Sequence, residues 1–197
     1  SFVEQGFTAV KLRIGNDRIG DDVERVRAVR SAIGDDVRLL IDANQKFVPK
    51  DAIRFGRRLD EFDITWFEEP VAVHDLRGCA EVRAALDIPI ATGETEYTSR
   101  GIKQLLDQRA ADIVMPDLQR IGGYTEFRRS AALAAADDTP VSSHFFTEHS
   151  LCVAAATPNC ISVEHVDWFA PLFSESVELR DGRIVVPNRP GTGFTFR

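Results

Sequence analysis

ITWFEEPVAVHDLRGCAEVRAALDIPIATGE, residues 64–94, decides the fold. Two short apolar runs, ITWFEE (64–69) and IPIATGE (88–94), flank a helical pattern over 75–86. Two strands joined by a helix of this length form a βαβ crossover, which implies parallel pairing. Each run also ends on a carboxylate, Glu68 with Glu69 in the first and Glu94 in the second. A charge at the end of an apolar strand is costly unless it is paired, ligated or solvated.

The same rhythm extends in both directions. TAVKLRI (8–14) and VRLLIDA (37–43) precede the unit, and DIVMPD (112–117), PVSSHF (140–145) and ISVEHV (161–166) follow it. Helical spacing lies between them. Val23, Val26, Val29 and Ile33 mark one helix, and a second opens at Pro49 and runs through Ile53 and Leu59. Others fit 98–109, 123–136 and 148–156. Seven strands in series suit either an open doubly wound sheet or a barrel. No Gly-rich phosphate loop follows the first strand, which weakens the dinucleotide-binding version of the open sheet. Beyond residue 166 the pattern changes. Asp181-Gly182 between apolar runs is a two-residue hairpin signal.

Composition narrows the function. The 197 residues are 44% hydrophobic and 28% charged, an ordinary globular balance. A net charge of −7 argues against nucleic acid as a partner. No apolar run is long enough to suggest a membrane span, and no segment resembles a signal peptide. Cys79, Cys152 and Cys160 are odd in number and lack zinc spacing, so a reducing cytoplasm is the simplest home. The basic residues are 20 Arg and only four Lys.

The ionisable residues at successive strand ends are Lys11 with Arg13, Asp42, Glu68 with Glu69, Glu94, Asp117, His144 and Glu164, each about one βα repeat apart. In a barrel all of these ends open onto one mouth. Asp42, Glu68 and Glu94 on three consecutive strands cannot all stay ionised together without a cation. All-oxygen donors favour a hard ion, Mg²⁺ before zinc. The alternative is three separate ion pairs with neighbouring arginines. Asp117 matched with His144 reads as a carboxylate fixing an imidazole tautomer for base work, or as a structural histidine with one hydrogen bond. His74, His149 and His165 read as structural. Lys11 and Arg13 flank Leu12, so both point to one side of the strand, as an anion grip or as two solvated cations.

Taken together, KLR (11–13), IDANQ (41–45), WFEEP (66–70), TGET (92–95), PDLQRIGG (116–123), SSHFF (142–146) and VEHVD (163–167) make the chain resemble the enolase superfamily. Within it the likeness is to the mandelate racemase subgroup. The resemblance implies an α/β fold of the (β/α)7β TIM type, holding strands two to eight and lacking the first βα unit and the capping domain. Residues 1–166 would be barrel, and 167–197 an extension with a short hairpin packing back on the barrel or capping domain. It implies Mg²⁺ on Asp42, Glu68 and Glu94, and a small carboxylate substrate, an acid sugar. His144 with Asp117 would be the base, Glu164 the hydrogen-bond donor and Lys11 the charge opposite the substrate carboxylate. Asn44 and Arg13 would contact substrate. A homo-oligomer is implied as well.

One position departs from the subgroup. Its two-base racemases carry Lys-x-Lys, and here the second position is Arg13. A guanidinium is a poor base and a good binder of carboxylate or hydroxyl oxygens. A single base fits dehydration of a sugar acid to a 2-keto-3-deoxy acid. The alternatives are a racemase or epimerase using Lys11 as its second base, and a catalytically inactive fragment or assembly subunit.

Overall fold

The structure, a computed structural model, describes residues 2–197. It divides into two compact units. The first takes in the chain to Thr92 together with Gln108–Asp112. Its strands β1 (Ala9–Arg13), β2 (Arg38–Asp42), β3 (Ile64–Glu68) and β4 (Ile90–Thr92) pair in parallel and in sequence order. Helices α1 (Ile19–Ile33), α2 (Pro49–Gly56) and α3 (Leu76–Ala85) connect them. Parallel strands covered by crossover helices become continuous apolar runs, and Leu39, Ile41, Phe67 and Ile90 are wholly buried. The register sets Arg13 opposite Asp42 and Asp42 opposite Glu68, so the charged ends lie level.

Helix α2 stops at Gly56, short of the expected Leu59. Bonds from Arg58 N–H to Phe55 O and Leu59 N–H to Gly56 O tighten the helix end, and Phe62 N–H to Leu59 O closes a 3-10 turn over Asp60–Phe62. Leu59 and Phe62 stay buried, so the apolar period runs on past the helix end. Asp112 ties its segment to this unit by accepting Ile90 N–H at 2.9 Å and pairing with Arg83 Nε at 2.7 Å.

The second unit comprises Gly93–Asp107 and Ile113–Arg197. It holds α4 (Thr98–Asp107), β5 (Ile113–Val114), α5 (Tyr124–Ala136), β6 (Val141–Ser143), α6 (Thr147–Ala155) and β7 (Cys160–Val163). β5, β6 and β7 pair in parallel. Asp117 and His144 lie past the ends of β5 and β6 and meet in an isolated parallel bridge. A 3-10 segment (Asp167–Leu172) then leads to the antiparallel hairpin of β8 (Leu179–Arg180) and β9 (Arg183–Ile184). Asp181 and Gly182 both have positive φ, 48° and 71°, the pair a type I′ turn requires. Buried Phe173 stacks on Phe196 with centroids 4.8 Å apart and meets Phe146 edge-on, which fixes the tail within this unit.

Candidate active site

In the second unit three candidate carboxylates gather around one imidazole. His144 follows β6 and is 8% exposed. Its Nδ1 lies 2.9 Å from Asp117 Oδ2. Asp117 is held in turn by the N–H groups of Gln119 and Arg120, which both donate to its Oδ1 at 2.9 Å. Burial pushes the Asp117 carboxyl up, but the bonds from His144, Arg120 and Gln119 outweigh it and hold it below the usual range. An ionised Asp117 keeps the proton on Nδ1 and leaves Nε2 for chemistry.

Nε2 faces carboxylates, with Glu94 Oε2 at 3.1 Å and Glu164 Oε2 at 3.8 Å. Burial pulls the imidazole pKa down, yet its hydrogen bonds to Asp117 and Glu94 and the charges of Glu94 and Glu164 push it up to about 9. Glu164 Oε2 also accepts the Phe145 N–H at 2.8 Å, while the Phe145 ring stacks on His144 at 5.2 Å. Gly93 turns the chain ahead of Glu94 with φ 124°, and a Cβ there would sit 3.3 Å from Met115 N. Both facts require glycine at this position. Arg120 Nη1 reaches the Glu94 carbonyl at 3.2 Å and its Oε1 at 3.4 Å.

The first unit assembles the other half of the expected set. Lys11 Nζ donates to both oxygens of Glu68, at 2.7 and 2.9 Å, and Trp66 Nε1 donates to Oε2 at 3.2 Å. Arg13 Nη2 lies 3.2 Å from Asp42 Oδ2, and the Asn44 N–H donates to Oδ1 at 2.7 Å. Lys11 and Arg13 thus face the same row of carboxylates, as the alternation around Leu12 implies. Asp42 and Glu68 are almost wholly buried, whereas Asn44 is exposed.

Among the described residues no group of three His, Cys, Asp or Glu side chains is arranged to hold a metal ion. The carboxylates engage cations instead: Glu68 with Lys11, Asp42 with Arg13, and Glu94 with Arg120 and His144. Asp42 and Glu68 in the first unit and Glu94 in the second are buried carboxylates, the oxygen donors that a hard cation takes. Glu69, already in the strand-end series, belongs to the cluster of the first unit, and Arg120, Gln45 and Phe145 also belong to the two clusters, though the spacing of these three alone carries no chemical signal. Arg120 and Gln45 lie within the quoted motifs PDLQRIGG and IDANQ, and that adjacency was the available hint.

Comparison with known proteins gives the family of the chain. The family described as enolase C-terminal domain-like matches residues 1–197. The L-talarate/galactarate dehydratase of Salmonella typhimurium is 42% identical over 193 residues, 98% of this chain and 48% of that protein. The arabinonate dehydratase of Saccharolobus solfataricus is 34% identical, covering 100% of this chain and 55% of its own. Racemases and epimerases are also among the similar proteins. The crystal structure of L-talarate dehydratase from Polaromonas sp. JS666, complexed with Mg and L-glucarate, has a TM-score of 0.96 and 41% identity. That likeness covers 100% of this chain and 55% of the other. The chain therefore spans about half the length of the relatives it matches. The fold class is mixed α/β, with seven parallel strands of an incomplete TIM-type barrel, as expected. With a match running its whole length, the chain belongs to the enolase C-terminal domain-like family.

Proposed function

We propose that this chain carries the catalytic residues of a Mg²⁺-dependent enzyme that removes the proton α to a carboxylate and dehydrates an acid sugar. The observation that carries the reading is the buried His144–Asp117 pair with Glu164 beside it. Asp42, Glu68 and Glu94 would hold the ion, which when bound supplies positive charge to a substrate carboxylate as its α-proton leaves. Lys11 adds charge to the substrate carboxylate from the side opposite the ion, and Arg13 and Asn44 bind substrate oxygens.

His144 takes the α-proton on Nε2, with Asp117 fixing its tautomer. The electrons of the C2–H bond form C2=C3 as the 3-hydroxyl departs as water with a proton from the imidazolium. Ketonisation of the resulting enol gives the 2-keto-3-deoxy acid. Glu164, when protonated, donates a hydrogen bond to a substrate oxygen. A high imidazole pKa suits the acid half of this cycle, and a cation on Glu94 would lower it toward the base half by withdrawing that carboxylate. The sugar acid dehydratases among the relatives support the substrate class. Three free cysteines fit a reducing cytoplasm, and a homo-oligomer is expected.

The test is incubation of the chain with Mg²⁺ and a panel of acid sugars in D₂O, reading 2-keto acid and deuterium at Cα. Keto acid formed by the wild type and lowered about 10²- to 10⁴-fold in H144N is the expected result. Deuterium in both epimers of recovered acid without keto acid would instead make it an epimerase, the reading that the racemase relatives favour.

A further inference from the structure

The ends of β2 and β3 carry three residues in the left-handed region: Asn44 (φ 43°), Gln45 (φ 67°) and Glu69 (φ 39°). None is glycine, and left-handed backbone is uncommon for Gln and Glu. Such conformations persist only where the surroundings over-determine them. Here the determinants are explicit. Gln45 N–H donates to the Glu69 carbonyl at 2.8 Å, and Gln45 Nε2 donates to Glu69 Oε2 at 3.0 Å. Gln45 Oε1 accepts the Val73 N–H at 3.0 Å, so both ends of its amide are used. Glu69, 2% exposed, donates its own N–H to Ala91 O at 2.9 Å.

This lattice lies directly behind two candidate ligands. The Asn44 N–H that holds Asp42 Oδ1 is aimed by the left-handed turn at residues 44 and 45. Ala43 N–H bonds to Glu68 O at 3.0 Å, and Glu69 fixes the backbone immediately after Glu68. We infer that Gln45 and Glu69 form a bracket across the two strand ends that positions Asp42 and Glu68 for a divalent cation. Both are positioning residues, and neither binds the ion. The inference rests on the proposed reading of Asp42 and Glu68 as ligands.

Calorimetric titration of the chain with Mg²⁺ tests it, with circular dichroism to confirm folding. Q45A and E69A weaken Mg²⁺ affinity about 10- to 100-fold, the usual cost of losing a partner behind a ligand. E69Q stays close to wild type, because its amide oxygen accepts the same bond from Gln45. The Q45A/E69A double variant is no worse than the weaker single one, since both break one bracket. If Q45A fails to fold, Q45N carries the same expectation. Asn tolerates left-handed backbone but is one methylene too short to span Glu69 and Val73.

Wild-type affinity in Q45A overturns the bracket. Loss in E69Q as large as in E69A also overturns it, by assigning the effect to the charge of Glu69. A wild-type chain that binds no Mg²⁺ overturns the ligand reading itself, a result distinct from both.

Discussion

Glu68 is the clearest case of a residue whose chemistry depends on a distant partner. Its carboxylate is buried, and Lys11 spans 57 residues of sequence to place Nζ against both oxygens. Removing one partner of a buried ion pair leaves an uncompensated charge. K11M is therefore expected to destabilise the chain by about 3 kcal/mol, the low end of the range because Lys11 is one-fifth exposed. Urea unfolding measures it, and an unchanged midpoint would show that the carboxylate does not depend on Lys11. Lys11 and Glu68 were each legible as strand-end charges. Their pairing was not, since it depends on register: Lys11 lies opposite Leu40 and reaches past β2 to β3. The His144–Asp117 pair was more legible, because the two residues follow the ends of adjacent parallel strands and bridge there.

Among the elements, helices and strands followed from the alternation of periods, and the ends did not. β5 is only two residues long, so most of DIVMPD acts as a support for Asp117. α4 illustrates how an element end is set by another element. The Ser99 N–H in its first turn donates to Glu126 Oε2 of α5 at 2.7 Å, a cap supplied across a helix pair and invisible to local spacing. The bonds from Ser99, backbone first and then side chain, together with Arg129, hold the Glu126 carboxyl at about 2, below its ordinary 4.5. A depressed carboxylate contributes stability that is complete above the unfolded value and lost as pH falls through the folded one. E126Q should therefore lower Tm at pH 7. The gap from wild type should narrow below pH 4.5 and close near pH 2, the window set by the two values. Thermal melts across that range decide it, and a gap independent of pH would show that the carboxylate charge is not the cause.

For the molecule as a whole, the notable quantity is the number of carboxylates kept from water. The chain bears a net charge of −7, and Asp22 and Glu148 on helices and Asp42, Glu68, Glu69, Glu94 and Asp117 at strand ends are all buried. Asp22 has a structural use, accepting the N–H groups of Gly15 and Asn16 and pairing with Arg25. Glu69 and Asp117 hold neighbours in place through Gln45 and His144. At the strand ends that leaves Asp42, Glu68 and Glu94, whose desolvation is offset by monovalent side chains of which Arg13 and Arg120 are themselves well exposed. A divalent cation would oppose their charge more strongly than exposed guanidiniums can, and binding to the folded chain alone raises stability by mass action. At Mg²⁺ one hundred times its Kd the gain is about 2.7 kcal/mol. For a chain of this size that corresponds to roughly 5–10 °C in Tm. EDTA should reverse the shift, and D42N or E68Q should abolish it while KCl at matched ionic strength leaves Tm where it was. A shift that survives in both ligand variants would place the ion elsewhere. In that case the buried carboxylates would have to be explained by their side-chain cations alone, the separate ion pairs that the strand-end spacing left open.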